Sequence, residues 1–83
     1  MNPLTNKADQ STCHEQILDL LAREWDLSGP PGILDIRDVV ALLPVAPGEI
    51  LSAIQNLYAK GLVDMTRFKT SVFLTPEGYN ARP

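Results

Sequence analysis

Cysteine, histidine and tryptophan each occur once in this chain of 83 residues. Those scarcities remove whole classes of function. Cys13 has no second cysteine to pair with, so neither a disulfide framework nor a thiolate zinc site can be built. His14 stands beside it, but neighbouring helical positions point about 100° apart, and no further ligands cluster with the pair. One histidine and one cysteine supply no nucleophile and base couple, and no glycine-rich phosphate loop is present. No enzyme activity, metal or cofactor is therefore expected. Apolar runs stop well short of the ~18 to 20 residues of a membrane span, and residues 1–16 lack a basic-then-apolar leader pattern. The expectation is a cytoplasmic protein with no membrane partner.

What is present is an ordinary globular balance, 45% hydrophobic and 20% charged, far from the composition of disordered chains. A chain of this length makes one domain and buries only roughly 60 to 65% of its unfolded surface. That leaves little room for both a core and an enclosed substrate pocket. The net charge of −3 is unevenly spread. Residues 1–59 hold three basic against eight acidic side chains, net −5, whereas residues 60–83 hold four against two, net +2. An anionic partner would meet the C-terminal third.

Residues 1–10 are polar without apolar periodicity and read as a flexible N-terminal arm, leaving 11–83 as the folded domain. Thr12 and Glu15 have the spacing of a capping box and predict the start of helix 1. Ile17, Leu18, Leu21 and Trp25 then recur at helical spacing, opposite Asp19, Arg23, Glu24 and Asp26. Ser28-Gly29-Pro30-Pro31-Gly32 is a loop. Asp35 can cap helix 2, with Ile36, Val39, Val40, Leu42 and Leu43 apolar, and Pro44 ends it. After a tight turn, Pro47 suits the first position of helix 3, which runs to about Lys60 with Ile50, Ile54, Leu57 and Tyr58 as the buried stripe. Gly61 stops it as a left-handed cap. Leu62–Phe68 and Ser71–Thr75 are β-branched and aromatic, predicting a hairpin turning at Lys69-Thr70. Thr75-Pro76-Glu77 opens a last helical turn that brings Tyr79 back to the core.

Two strings stand out: Leu57-Tyr58-Ala59-Lys60-Gly61-Leu62-Val63, and Phe73-Leu74-Thr75-Pro76-Glu77-Gly78-Tyr79. They resemble the helix-to-wing and strand-to-helix junctions of MarR-like bacterial transcriptional regulators. With the order helix, helix, tight turn, helix, hairpin, the chain is similar over Thr12–Tyr79 to a winged helix-turn-helix domain. The resemblance implies an α+β fold, a three-helix core with a C-terminal β-hairpin wing, and transcription regulation through double-stranded DNA.

In such domains helix 3 enters the major groove and the wing meets the backbone or the minor groove. On helix 3 the resemblance puts Ser52, Gln55 and Asn56 at base edges or phosphates, with Lys60 at the far end. On the wing it puts Arg67, Lys69 and Thr70 against the backbone. Each set also fits a plainer role, as a solvated helix face and as a charged hairpin tip that discourages edge pairing. So few cations make a small footprint, which a homodimer would double. The alternative is a protein-interaction module without nucleic acid, presenting an acidic surface and an apolar patch centred on Leu51.

Overall fold

The computed structural model describes residues 3–82, with side chains from Thr12 onward. Its first helix, α1, runs Pro3–Ser28. The expected start at Thr12 is thus corrected: Pro3 is tolerated at a helix N-terminus, and neither glycine nor proline occurs again before Ser28, so nothing breaks the helix. Thr12 and Glu15 lie within the helix instead of capping it. Met1 and Asn2, part of the expected arm, lie outside the described residues.

From Cys13 on, α1 turns one side inward, burying Cys13, Ile17, Leu18, Leu21 and Ala22. A two-residue strand, β1 (Leu34–Asp35), follows the proline loop, and Asp35 then caps α2 (Ile36–Leu42) by accepting the Arg37 N–H. Of the apolar positions expected on α2, Val39 is buried, but Leu42 is exposed. Leu42 falls on the outward side of the last turn, whose Val39 and Val40 pack on the core, as does Leu43 just beyond it.

Pro47 opens α3 (Pro47–Ala59). Ile50, Ala53, Ile54 and Leu57 are buried in the core. Tyr58 is a correction, being 47% exposed; it falls about 100° from Leu57 around the helix, off the buried stripe. The end of α3 is the capping arrangement expected at Gly61. Gly61 has φ +76°, its N–H donates to the Tyr58 carbonyl at 3.0 Å, and the Leu62 N–H reaches Leu57 at 3.0 Å. These two bonds satisfy carbonyls that a helix end otherwise leaves orphaned.

Strands β2 (Val63–Met65) and β3 (Ser71–Leu74) form the hairpin, and β1 adds to the other edge of β3, so the antiparallel sheet runs β1-β3-β2. Val63, Val72 and Leu74 point inward and close the core against α1 and α3. The last helix, α4 (Pro76–Asn80), returns to α1. There Tyr79 stacks on Trp25 with ring centroids 4.6 Å apart, and its hydroxyl donates to Asp26 at 2.8 Å. Among the described residues the fold is α+β, four helices and one three-stranded antiparallel sheet. Among the described residues no helix is long and apolar enough to cross a membrane.

Candidate nucleic-acid interface

The outward face of α3 follows from its inward one. With Ile50, Ala53, Ile54 and Leu57 buried, the 3.6-residue period turns Ser52, Gln55 and Asn56 away from the core in one stripe. All three are exposed, and among the described residues none of their side chains has a hydrogen-bond partner. The stripe therefore presents free donors and acceptors on a rigid element.

Its two margins differ. On one lie Leu51 and Tyr58, seven residues apart and so within about 20° of one another around the helix; each is 47% exposed. Glu49 and Lys60 lie on the other margin, which faces α1: Glu49 acts electrostatically on Cys13 and Lys60 on His14. Lys60 thus stands beside α1, off the centre of the amide stripe.

Sequence reading carries β2 through to Phe68, but the strand ends at Met65. Thr66 closes the ladder early, its hydroxyl oxygen taking the Ser71 N–H at 3.2 Å and its carbonyl accepting the Lys69 N–H at 2.8 Å. Arg67, Phe68, Lys69 and Thr70 therefore form the apex, with Lys69 left-handed at φ 58°. The Thr70 carbonyl accepts the Ile36 N–H at 3.0 Å. That bond fastens the apex to the first turn of α2. Arg67, Lys69 and Thr70 are thus brought together on one braced turn, as Ser52, Gln55 and Asn56 are on one stripe.

The cations sort into two groups. Arg23 pairs with Asp19 at 3.0 Å, Arg37 with Asp35 at 3.5 Å, and Arg82 lies 3.8 Å from the Tyr79 ring centre. Among the described residues Lys60, Arg67 and Lys69 have no carboxylate within ion-pair distance. Sequence reasoning missed Phe68, which is 80% exposed at the apex. Its aromatic character signals β-structure, and only the Thr66 side-chain bond reveals that the strand has already ended.

A cleft of about 360 Å³ lies between α1 and the α2–α3 turn, lined by Thr12, Gln16, Pro44, Val45, Ala46 and Glu49. The adjacent Cys13 thiol is pushed above its usual pKa, first by burial and then by Glu49, so it stays protonated and is a poor nucleophile. Among the described residues no group of three or more His, Cys, Asp and Glu side chains could hold a metal ion.

Burial, and secondarily the Lys60 ammonium, push the His14 imidazole below its usual pKa of 6.5. Below that pH the unfolded chain binds more protons than the folded one. Stability contributed by neutral His14 is present in full above about pH 6.5 and falls as pH drops toward the folded-state pKa. The urea midpoint should therefore decline as pH is lowered from about 7 through 6, and His14→Gln should flatten that decline. An equal slope in the variant would remove His14 as its source. Asp35, held low by the Arg37 N–H, loses its contribution only as pH falls below about 4, outside this window.

No family model, curated protein or solved structure matches the chain.

Proposed function

We propose that the chain is a winged helix-turn-helix domain that binds double-stranded DNA and regulates transcription. In this reading α2 and α3 are the helix-turn-helix pair, α3 enters the major groove, and the β2–β3 hairpin is the wing. The β1-β3-β2 sheet, with the hairpin following α3 through only Lys60, Gly61 and Leu62, supports the architecture. One observation carries the function. Among the described residues the partnerless amides Gln55 and Asn56 lie on α3, and the cations without a carboxylate partner include Lys60 at its end and Arg67 and Lys69 at the hairpin apex, while Arg23 and Arg37 are ion-paired and Arg82 lies over the Tyr79 ring. Free amides read base edges and free cations hold phosphates.

Titration of the labelled protein with short duplex DNA at low ionic strength should shift the amide signals of Ser52, Gln55, Asn56, Arg67 and Lys69. Binding should then weaken with salt. Each neutralised phosphate contributes about 0.9 to the logarithmic slope, so Lys60, Arg67 and Lys69 give a slope of about −3 for a monomer and twice that for a dimer. Unchanged spectra at low salt would overturn this reading in favour of a protein-interaction module. That second reading is favoured by the exposed Leu51 and Tyr58 on one margin of α3.

A further inference from the structure

The hairpin apex carries a group that phosphate contacts do not explain. Phe68 is 80% exposed, yet it does not hang from a loose loop. The Thr66 carbonyl and hydroxyl oxygens hold Lys69 and Ser71, and Thr70 is hydrogen-bonded to Ile36 on α2. The ring is therefore held out into water by a turn fastened at both ends. It lies between two cations that have no carboxylate partner among the described residues, and the Arg67 guanidinium carbon is 5.8 Å from its centre.

We propose that Phe68 is a wedge that stacks on DNA bases, opening a base step while Arg67 and Lys69 hold the phosphates beside it. The inference rests on the DNA-binding reading above and adds the contact that reading lacks. Charge complementarity selects the occupant. A cation, a flat apolar ring and a second cation in succession match phosphate, base and phosphate along a nucleic-acid strand. Lipid-binding basic clusters use about four to eight Lys or Arg, where this apex has Arg67 and Lys69. Pyrimidine–purine steps such as dT–dA unstack most readily and are the natural target.

The test uses the full chain and a duplex of alternating dT–dA steps carrying 2-aminopurine, which brightens when unstacked. The wild-type protein should bind and raise the fluorescence. Phe68→Ala, at a site so exposed that the fold should survive, should weaken binding about tenfold and abolish the brightening, while Phe68→Trp should retain both. The salt slope should be unchanged in Phe68→Ala and lower by about one in Lys69→Gln. If Phe68→Ala binds and brightens like wild type, the wedge is overturned and the DNA reading survives. If neither protein binds duplex at low salt, both fall. Phe68-dependent binding to phosphatidylserine vesicles, without duplex binding, would also overturn the wedge and assign the ring to a bilayer.

Discussion

Replacing Gly78 by alanine should destabilise the protein by about 3 to 5 kcal/mol, the cost of overpacking plus hydrogen bonds lost around one carbonyl. An added Cβ at Gly78 would drive into the Leu62 carbonyl oxygen and come within 2.8 Å of a Leu74 methyl group. Backbone cannot swing aside as a long side chain can, and this carbonyl is already in use. It accepts the Thr75 N–H at 3.2 Å and lies 3.0 Å from the Thr75 hydroxyl. That hydroxyl in turn donates to the Gly61 carbonyl at 2.7 Å and accepts the Gly78 N–H at 3.0 Å. Moving α4 away to admit the methyl group would break this set together. For a domain of this size, each kcal/mol shifts Tm by roughly 4 to 8 °C, so thermal unfolding should fall by well over 10 °C. Gly48, in the first turn of α3 with open space around its Cβ direction, is the control. Gly48→Ala should be neutral or stabilising by up to about 1 kcal/mol, because alanine is the better helix former. A Gly78→Ala protein that melts with wild type would show that α4 docks elsewhere.

The same contacts explain how much of the molecule can be read without coordinates. The Gly61 cap and the Thr75-Pro76 helix start follow from local backbone chemistry, and both are where the residues put them. That Thr75 ties one junction to the other is a contact between residues 14 apart in the chain, invisible to any local pattern. The bounds of α3 and its outward Ser52, Gln55 and Asn56 were legible because proline, helical period and glycine agree there. The start of α1 was not. A capping signal at Thr12 looks the same whether it begins a helix or lies within one, and polar residues ahead of it are compatible with both. Tyr58 misled because an aromatic beside a buried leucine reads as core, although one helical step carries it to the margin. Phe68 misled for the complementary reason, since β-propensity continues past the point where the Thr66 hydroxyl ends the ladder. Which cations keep free charge also required coordinates. Arg82 resembles Lys69 in sequence, yet it lies over the Tyr79 ring.

Truncating Ile54 tests the link between core and surface. Its side chain is buried on α3 with Ile17, Leu21, Val63 and Leu74 in the same core, directly opposite the amide stripe. Ile54→Ala removes three carbons from a close-packed site, and the lost transfer energy plus the residual cavity should cost about 2 to 5 kcal/mol. Alanine's higher helix propensity offsets only a few tenths of that. A domain of this length has about 4 to 12 kcal/mol of total stability, so the variant should unfold at a markedly lower urea concentration. Below its own midpoint, however, it should bind duplex DNA with nearly wild-type affinity, because Gln55 and Asn56 are positioned by the helix backbone and not by contact with residue 54. Gln55→Ala should behave in the opposite way. Stability should stay within about 0.5 kcal/mol of wild type at this exposed site, and duplex affinity should fall by about 1 to 3 kcal/mol if the amide reads a base edge. The two variants together separate a surface that recognises from the core that holds it in place. Equal loss of affinity in both, measured where each is fully folded, would mean that α3 is not a rigid presenter of its outer face.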